Sequence, residues 1–153
     1  NDERAIFFAK GVVETIKKLN WSPDIIHVHG WIASLLPLYL KEYYKDEPLF
    51  NNSKVVVSIY ADGIKGKLDS KIVKKIKFDE IESKTLDVLN DATYLNLFKN
   101  AVLNSDGIVL AGEKLDETIL KLVNSTKKPI LKYGFTEGFK DEYLNFYKTK
   151  ILN

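Results

Sequence analysis

Two hydrophobic periods alternate along the chain. In residues 2–20, Ile6, Ala9, Val13 and Ile16 recur every three to four positions, with Ala5, Phe8, Val12 and Leu19 beside them. That spacing predicts a helix with a wide apolar stripe. Asp2 and Glu3 suit its N-terminal dipole, and Lys17 and Lys18 suit its last turn. Trp21-Ser22-Pro23 ends it, because the residue before a proline avoids helical angles. Residues 24–29 then read as a buried strand, apolar or semi-apolar on both faces. Gly30 turns the chain, and a second helical run extends over 31–45 through Ile32, Leu35, Leu36, Tyr39, Leu40, Tyr43 and Tyr44. Pro37, near its second turn, predicts a kink or an irregular start.

The same alternation continues. Residues 54–60, Lys-Val-Val-Val-Ser-Ile-Tyr, have the β-branched character of a central parallel strand. After the turn at Ala61-Asp62-Gly63, residues 64–77 carry six lysines and one aspartate around Leu68, Ile72 and Ile76, and predict a basic amphipathic helix. Residues 79–91 are polar and fit either a short helix or an excursion. A helix follows over 91–104, then a strand over 108–111, a helix over 116–125, a strand over 130–133 and a closing helix over 141–152. The closing helix carries Tyr143, Leu144, Phe146, Tyr147 and Ile151. Strands alternating with helices of this length imply right-handed βαβ units. The expected fold is a three-layer α/β/α arrangement with a mostly parallel sheet of about four strands, one domain over 1–153 or part of a larger one.

Composition narrows the classes. Twenty-three basic and 21 acidic residues leave a net charge of +2, which gives no electrostatic case for nucleic acid. With no cysteine there can be no disulfide, thiol catalysis or cysteine-based zinc site, and a reducing, cytoplasmic setting is compatible. No apolar run approaches the ~18 residues that span a bilayer, so no membrane partner is expected. The chain has no methionine and starts Asn1-Asp2-Glu3-Arg4 directly at a helix, so it is expected to be a fragment or domain with upstream sequence missing.

Candidate chemistry gathers at strand ends, where open parallel sheets bind ligands. No phosphate-binding glycine loop and no nucleophile elbow occurs. His27 and His29 are the only histidines. Two apart on one strand, they are expected on opposite sheet faces, unable to grip one metal; no metal and no cofactor are expected. His27 reads as a buried, hydrogen-bonded histidine, and His29 as a residue facing a ligand crevice. Trp31, at a helix start beside Gly30, reads as packing or as the floor of a sugar site. Tyr60, Asp62 and Gly63 end the second strand, and Glu113 and Tyr133 the third and fourth, so all converge on one rim if the strands are adjacent. Asp62 could instead cap a turn. The lysines of 65–77 form a solvated face or draw a phosphate-bearing substrate toward the rim. The candidate substrate-binding set is His29, Gly30, Trp31, Tyr60, Asp62 and Gly63, with no catalytic residue assigned.

Three segments carry a resemblance. "PDIIHVHGWIASLLPLYLK" resembles the "PD-hydrophobic-H-x-H-D-W" signature of bacterial glycogen synthases and plant starch synthases, family 5 glycosyltransferases. "SKVVVSIYADGIKG" is similar to their next strand, usually "VFTVHNLAYQG". "LNLFKNAVLNSDGIVLAGEKLDETI" resembles their "N-x-x-K-A-G" segment, with Asn96, Lys99 and Asp106 on matching positions. The tail "FKDEYLNFYKTKIL" is similar to the C-terminus of short bacterial synthase-like proteins that hold only the first of the family's two domains.

The resemblance implies half of a Rossmann-like N-terminal domain and glucosyl transfer from ADP-glucose to an α-1,4-glucan. The partners it implies are the α-glucan, ADP-glucose, and a separate donor-binding domain or a homo-oligomer. Departures cluster at the cleft: Gly30 stands where the signature has Asp, Tyr60 and Ala61 where it has His-Asn, and Leu110-Ala111-Gly112 where it has Val-Ser-Pro. The alternatives are a non-catalytic carbohydrate or nucleotide-sugar binding module that has lost its active-site residues, and an unrelated α/β ligand-binding domain.

Overall fold

Each strand is short because a turn or helix signal bounds it on both sides. In a computed structural model, which describes residues 1–61, 66–82, 84–112, 114–132 and 139–153, four strands lie side by side in chain order. They are β1 (Ile25–His29), β2 (Lys54–Ile59), β3 (Gly107–Leu110) and β4 (Ile130–Lys132), all parallel. This is the expected four-strand α/β fold. Because each strand is added on the same side of the last, right-handed crossovers put the connecting helices on one face of the sheet.

That face holds the main core. Helix α1 (Asp2–Lys18) buries Ala5, Ala9, Val13 and Ile16, a stripe that opens with two small residues and so admits close packing. Helix α4 (Tyr94–Leu103) buries Leu97, Phe98, Ala101 and Val102, and α5 (Glu117–Ser125) buries Ile119 and Val123. The strands answer with Ile26 and Val28, Val55, Val57 and Ile59, and Ile108 and Leu110. The opposite face is covered by helix α6 (Phe139–Phe146) and a π turn over Tyr147–Ile151, whose Phe146 and Ile151 pack with Val56, Val109 and Ala111. The sheet is therefore sandwiched, with several helices on one side and the C-terminal segment on the other.

Three helices differ from the sequence pattern. The run over 31–45 divides into a 3-10 turn at Trp31–Ala33 and a short helix α2 (Leu36–Glu42), with Pro37 in the first helical turn, where its fixed φ and missing N–H are tolerated. This is the irregular start that Pro37 predicts. Of the basic helix expected over 64–77, residues 64 and 65 lie outside the described residues, and the helix found in the rest is α3 (Ile72–Lys77). Upstream of it Lys67 bridges Thr93, and Leu68 N–H donates to Ala92 C=O at 2.9 Å, so these residues are held extended. Residues 84–91 form a 3-10 helix, burying Leu86 and Leu89 three positions apart, the period of that helix. No helix among the described residues is long and apolar enough to cross a membrane.

Candidate functional site

The site grows from one face of the sheet. Side chains alternate along a strand, so residues two apart share a face. His27 and His29 therefore point the same way, toward α6, and their ring centroids lie 4.1 Å apart. The expectation that they face opposite sides is wrong: the pleat has a period of two, and a two-residue step returns to the same side. With it falls the geometric argument built on that separation. On the neighbouring strand, His27 pairs in register with Val56 and His29 with Ser58.

Hydroxyls hold both imidazoles. His27 Nδ1 lies 2.5 Å from Tyr147 Oη, and its Nε2 lies 2.8 Å from Ser58 Oγ. In a neutral imidazole one nitrogen donates and the other accepts, and two rotatable hydroxyls satisfy either tautomer. Burial first, and the neighbouring His29 second, pull the His27 pKa from its ordinary 6.5 to about 4. His29 Nδ1 lies 2.7 Å from Tyr60 Oη, and burial lowers its pKa too, although the residue is partly open to solvent. Burial, with Tyr143 beside it, pushes the Tyr147 phenol up to about 12. Tyr60 is fixed from behind, its carbonyl accepting from Tyr94 Oη at 2.9 Å. At neutral pH the two imidazoles and the Tyr147 phenol are thus uncharged and able to exchange hydrogen bonds.

Above this face opens a cavity of about 690 Å³. The ends of the strands supply His29, Tyr60 and Ala111; α6 and the π turn supply Phe139, Lys140, Tyr143, Leu144 and Tyr147. Among the expected residues, His29 and Tyr60 are brought together. Gly30 follows immediately, at φ 74° and ψ 167°, a conformation essentially reserved for glycine. Trp31 lies against the main core rather than among the residues lining the cavity. Asp62, Gly63, Glu113 and Tyr133 lie outside the described residues.

The sequence reading missed the wall facing the strands. It placed Tyr143 and Tyr147 on the closing helix without a role and left Phe139 outside that helix, yet the three occur at four-residue steps, which places them on one helical face. That stripe was the available signal. Ser58, fully buried in a strand of valines, was a second: a buried hydroxyl needs a partner, and His27 is that partner.

Two residues of the third motif serve the fold. Asn96 Nδ2 donates to Asp91 C=O at 2.7 Å. Asp106 ties β3 to β2, its N–H donating to Val55 C=O and its carboxylate accepting from Val55 N–H at 2.8 Å. Two departures from the motifs also touch each other: a Cβ at Gly112 would lie 2.9 Å from Ala61 N, so the chain after β2 approaches β3 as only glycine permits.

Residues 1–127 match the starch synthase catalytic domain. The glycogen synthase of Chlorobium luteolum is 36% identical over 120 residues, 78% of this chain and 24% of the relative. The glycogen synthase of Pelodictyon phaeoclathratiforme is 34% identical over 151 residues, 99% of this chain and 29% of its own length, and that of Thermotoga petrophila is 35% identical over 106 residues, 69% of this chain and 22% of the relative. The chain thus spans about a quarter of the length of the curated relatives it matches. No solved structure matches. By the match over residues 1–127, the chain belongs to the starch synthase catalytic domain family.

Proposed function

We propose that this chain is the acceptor-side part of a glycogen synthase-like glucosyltransferase, presenting the growing end of an α-1,4-glucan to a glucosyl donor, ADP-glucose, held by a separate domain or a second copy in the cytoplasm. The observation that carries the reading is the meeting of His29 and Tyr60, both on motif segments, at 2.7 Å on the mouth of an aromatic cavity at the C-terminal edge of the sheet. That edge is where parallel α/β sheets bind ligands. Glucosyl transfer needs fixed groups that stabilise the departing nucleotide diphosphate. The described residues of this cavity include one formal cation, Lys140, so the reading assigns donor stabilisation elsewhere.

A second reading has its own support. Gly30 replaces the signature acid, and its backbone adopts a conformation that disfavours any other residue. A carbohydrate-binding module that has given up the chemistry would show this. The two separate by incubating the full-length protein with labelled ADP-glucose and glycogen. Incorporation of label supports the transferase; glucan retention on an affinity gel with no incorporation at high protein concentration supports the module and ends the transferase reading.

A further inference from the structure

Helix α6 begins at Phe139, twelve residues after the stretch matched by the family ends at residue 127. Its seat on the sheet is shaped, not incidental. Gly107, the first residue of β3, carries no side chain where Ile151 rests: a Cβ there would collide with Ile151 Cδ1 and come within 3.4 Å of Phe146 Cζ. With Phe146 and Ile151 fixed downward, helical geometry turns Tyr143 and Tyr147 toward His27 and sets Phe139 at the rim. The rings pack edge to face, Phe139 with Tyr143 at 86° and Tyr143 with Tyr147 at 79°. The result is a corrugated aromatic wall opposite the strand ends.

From this arrangement we infer that α6 supplies the sugar-stacking wall of the cavity, with Phe139 and Tyr143 taking the apolar faces of an α-1,4-linked glucose chain and His29 Nε2 and Lys140 hydrogen-bonding its hydroxyls. The inference rests on the acceptor-side reading above and adds the residues that hold the acceptor. Three features suit this ligand class. Aromatic faces carry partial negative charge, which suits the C–H faces of a hexose. The described lining contains one cation and no carboxylate, which suits a neutral polyol better than a nucleoside diphosphate. The volume falls in the range of roughly 300–1,000 Å³ usual for ligand sites, room for a short oligosaccharide end. Tyr147, tied to His27, is a positioning residue: it holds that imidazole beside the wall, while Tyr60 holds His29.

The test is calorimetric titration of the full-length protein with maltoheptaose, cellohexaose (the β-linked control) and ADP-glucose. Tyr143→Ala and Phe139→Ala should each weaken maltoheptaose about five- to tenfold, and Tyr143→Phe should keep affinity within about twofold. ADP-glucose binding should be the same in all variants, and cellohexaose should bind more weakly than maltoheptaose throughout. Phe139 is 44% exposed, so its truncation leaves the core intact and keeps the test valid even if Tyr143→Ala unfolds. Wild-type binding of maltoheptaose that neither alanine variant alters overturns the stacking wall alone. A loss confined to ADP-glucose assigns the wall to the donor and also overturns it. Failure of the wild type to bind any α-glucan overturns the wall and the acceptor-side reading together.

Discussion

His27 makes the fold's stability depend on pH in a defined window. The unfolded imidazole takes up a proton near pH 6.5 and the folded one near pH 4. Between those values the unfolded chain binds more protons, so stability is full above about pH 6.5 and falls as pH drops toward 4. Melting temperature followed by circular dichroism at pH 7.5, 6 and 5 should fall in the wild type and fall less in His27→Gln, which removes the titrating group. Equal slopes in both proteins would contradict the assignment. Gly30 gives a second prediction at this scale. Gly30→Asp restores the residue of the family signature, and a Cβ there meets nothing within 4 Å, yet φ 74° strains any side chain. We expect a loss of about 1–3 kcal/mol in urea unfolding and no gain in glucosyl incorporation. The meeting of His29 and Tyr60 at one edge was legible in the sequence because both end parallel strands, whose C-terminal ends lie side by side. The shared face of His27 and His29 was equally legible from the pleat, and the error there was one of counting. The Tyr147–His27 contact spans 120 residues, and nothing local to either residue encodes it.

At the scale of elements, Gly107 and Ile151 form the joint that matters most for the site. Gly107→Ala makes the terminal methyl of Ile151 turn aside in a packed layer, for an expected cost of about 1 kcal/mol, at the low end for added core volume. Ile151→Val removes the colliding Cδ1, so the double variant should recover part of that loss. Purely additive effects in thermal unfolding would show that the two residues do not meet. The strands, α1, α4 and α5 were readable from period alone because packing and propensity agree there. Residues 64–77 misled because leucine and isoleucine at four-residue steps mimic a helix, while the extended bridge from Lys67 to Thr93 wins through pairing with a distant segment. In residues 84–91 the three-residue spacing of Leu86 and Leu89 was visible, but so short a signal among polar residues does not separate a 3-10 helix from a loop. The start of α6 at Phe139 extends the closing helix backward by two residues and brings the third ring of the wall into register.

Across the whole molecule, the charged side chains nearly balance, and the described cavity is aromatic and uncharged except for Lys140. Such a lining suits the neutral acceptor proposed above. The chain spans about a quarter of its synthase relatives, and the acceptor side is the part we propose for it. Because it contains only two histidines, both at the site, their imidazole signals report directly on the cavity. The decisive measurement is an NMR titration of those signals with maltoheptaose. The account predicts a saturable shift of the His29 resonance, a smaller one for His27 behind it, and no comparable change with cellohexaose. Histidine signals that stay fixed while maltoheptaose binds elsewhere on the protein would contradict it.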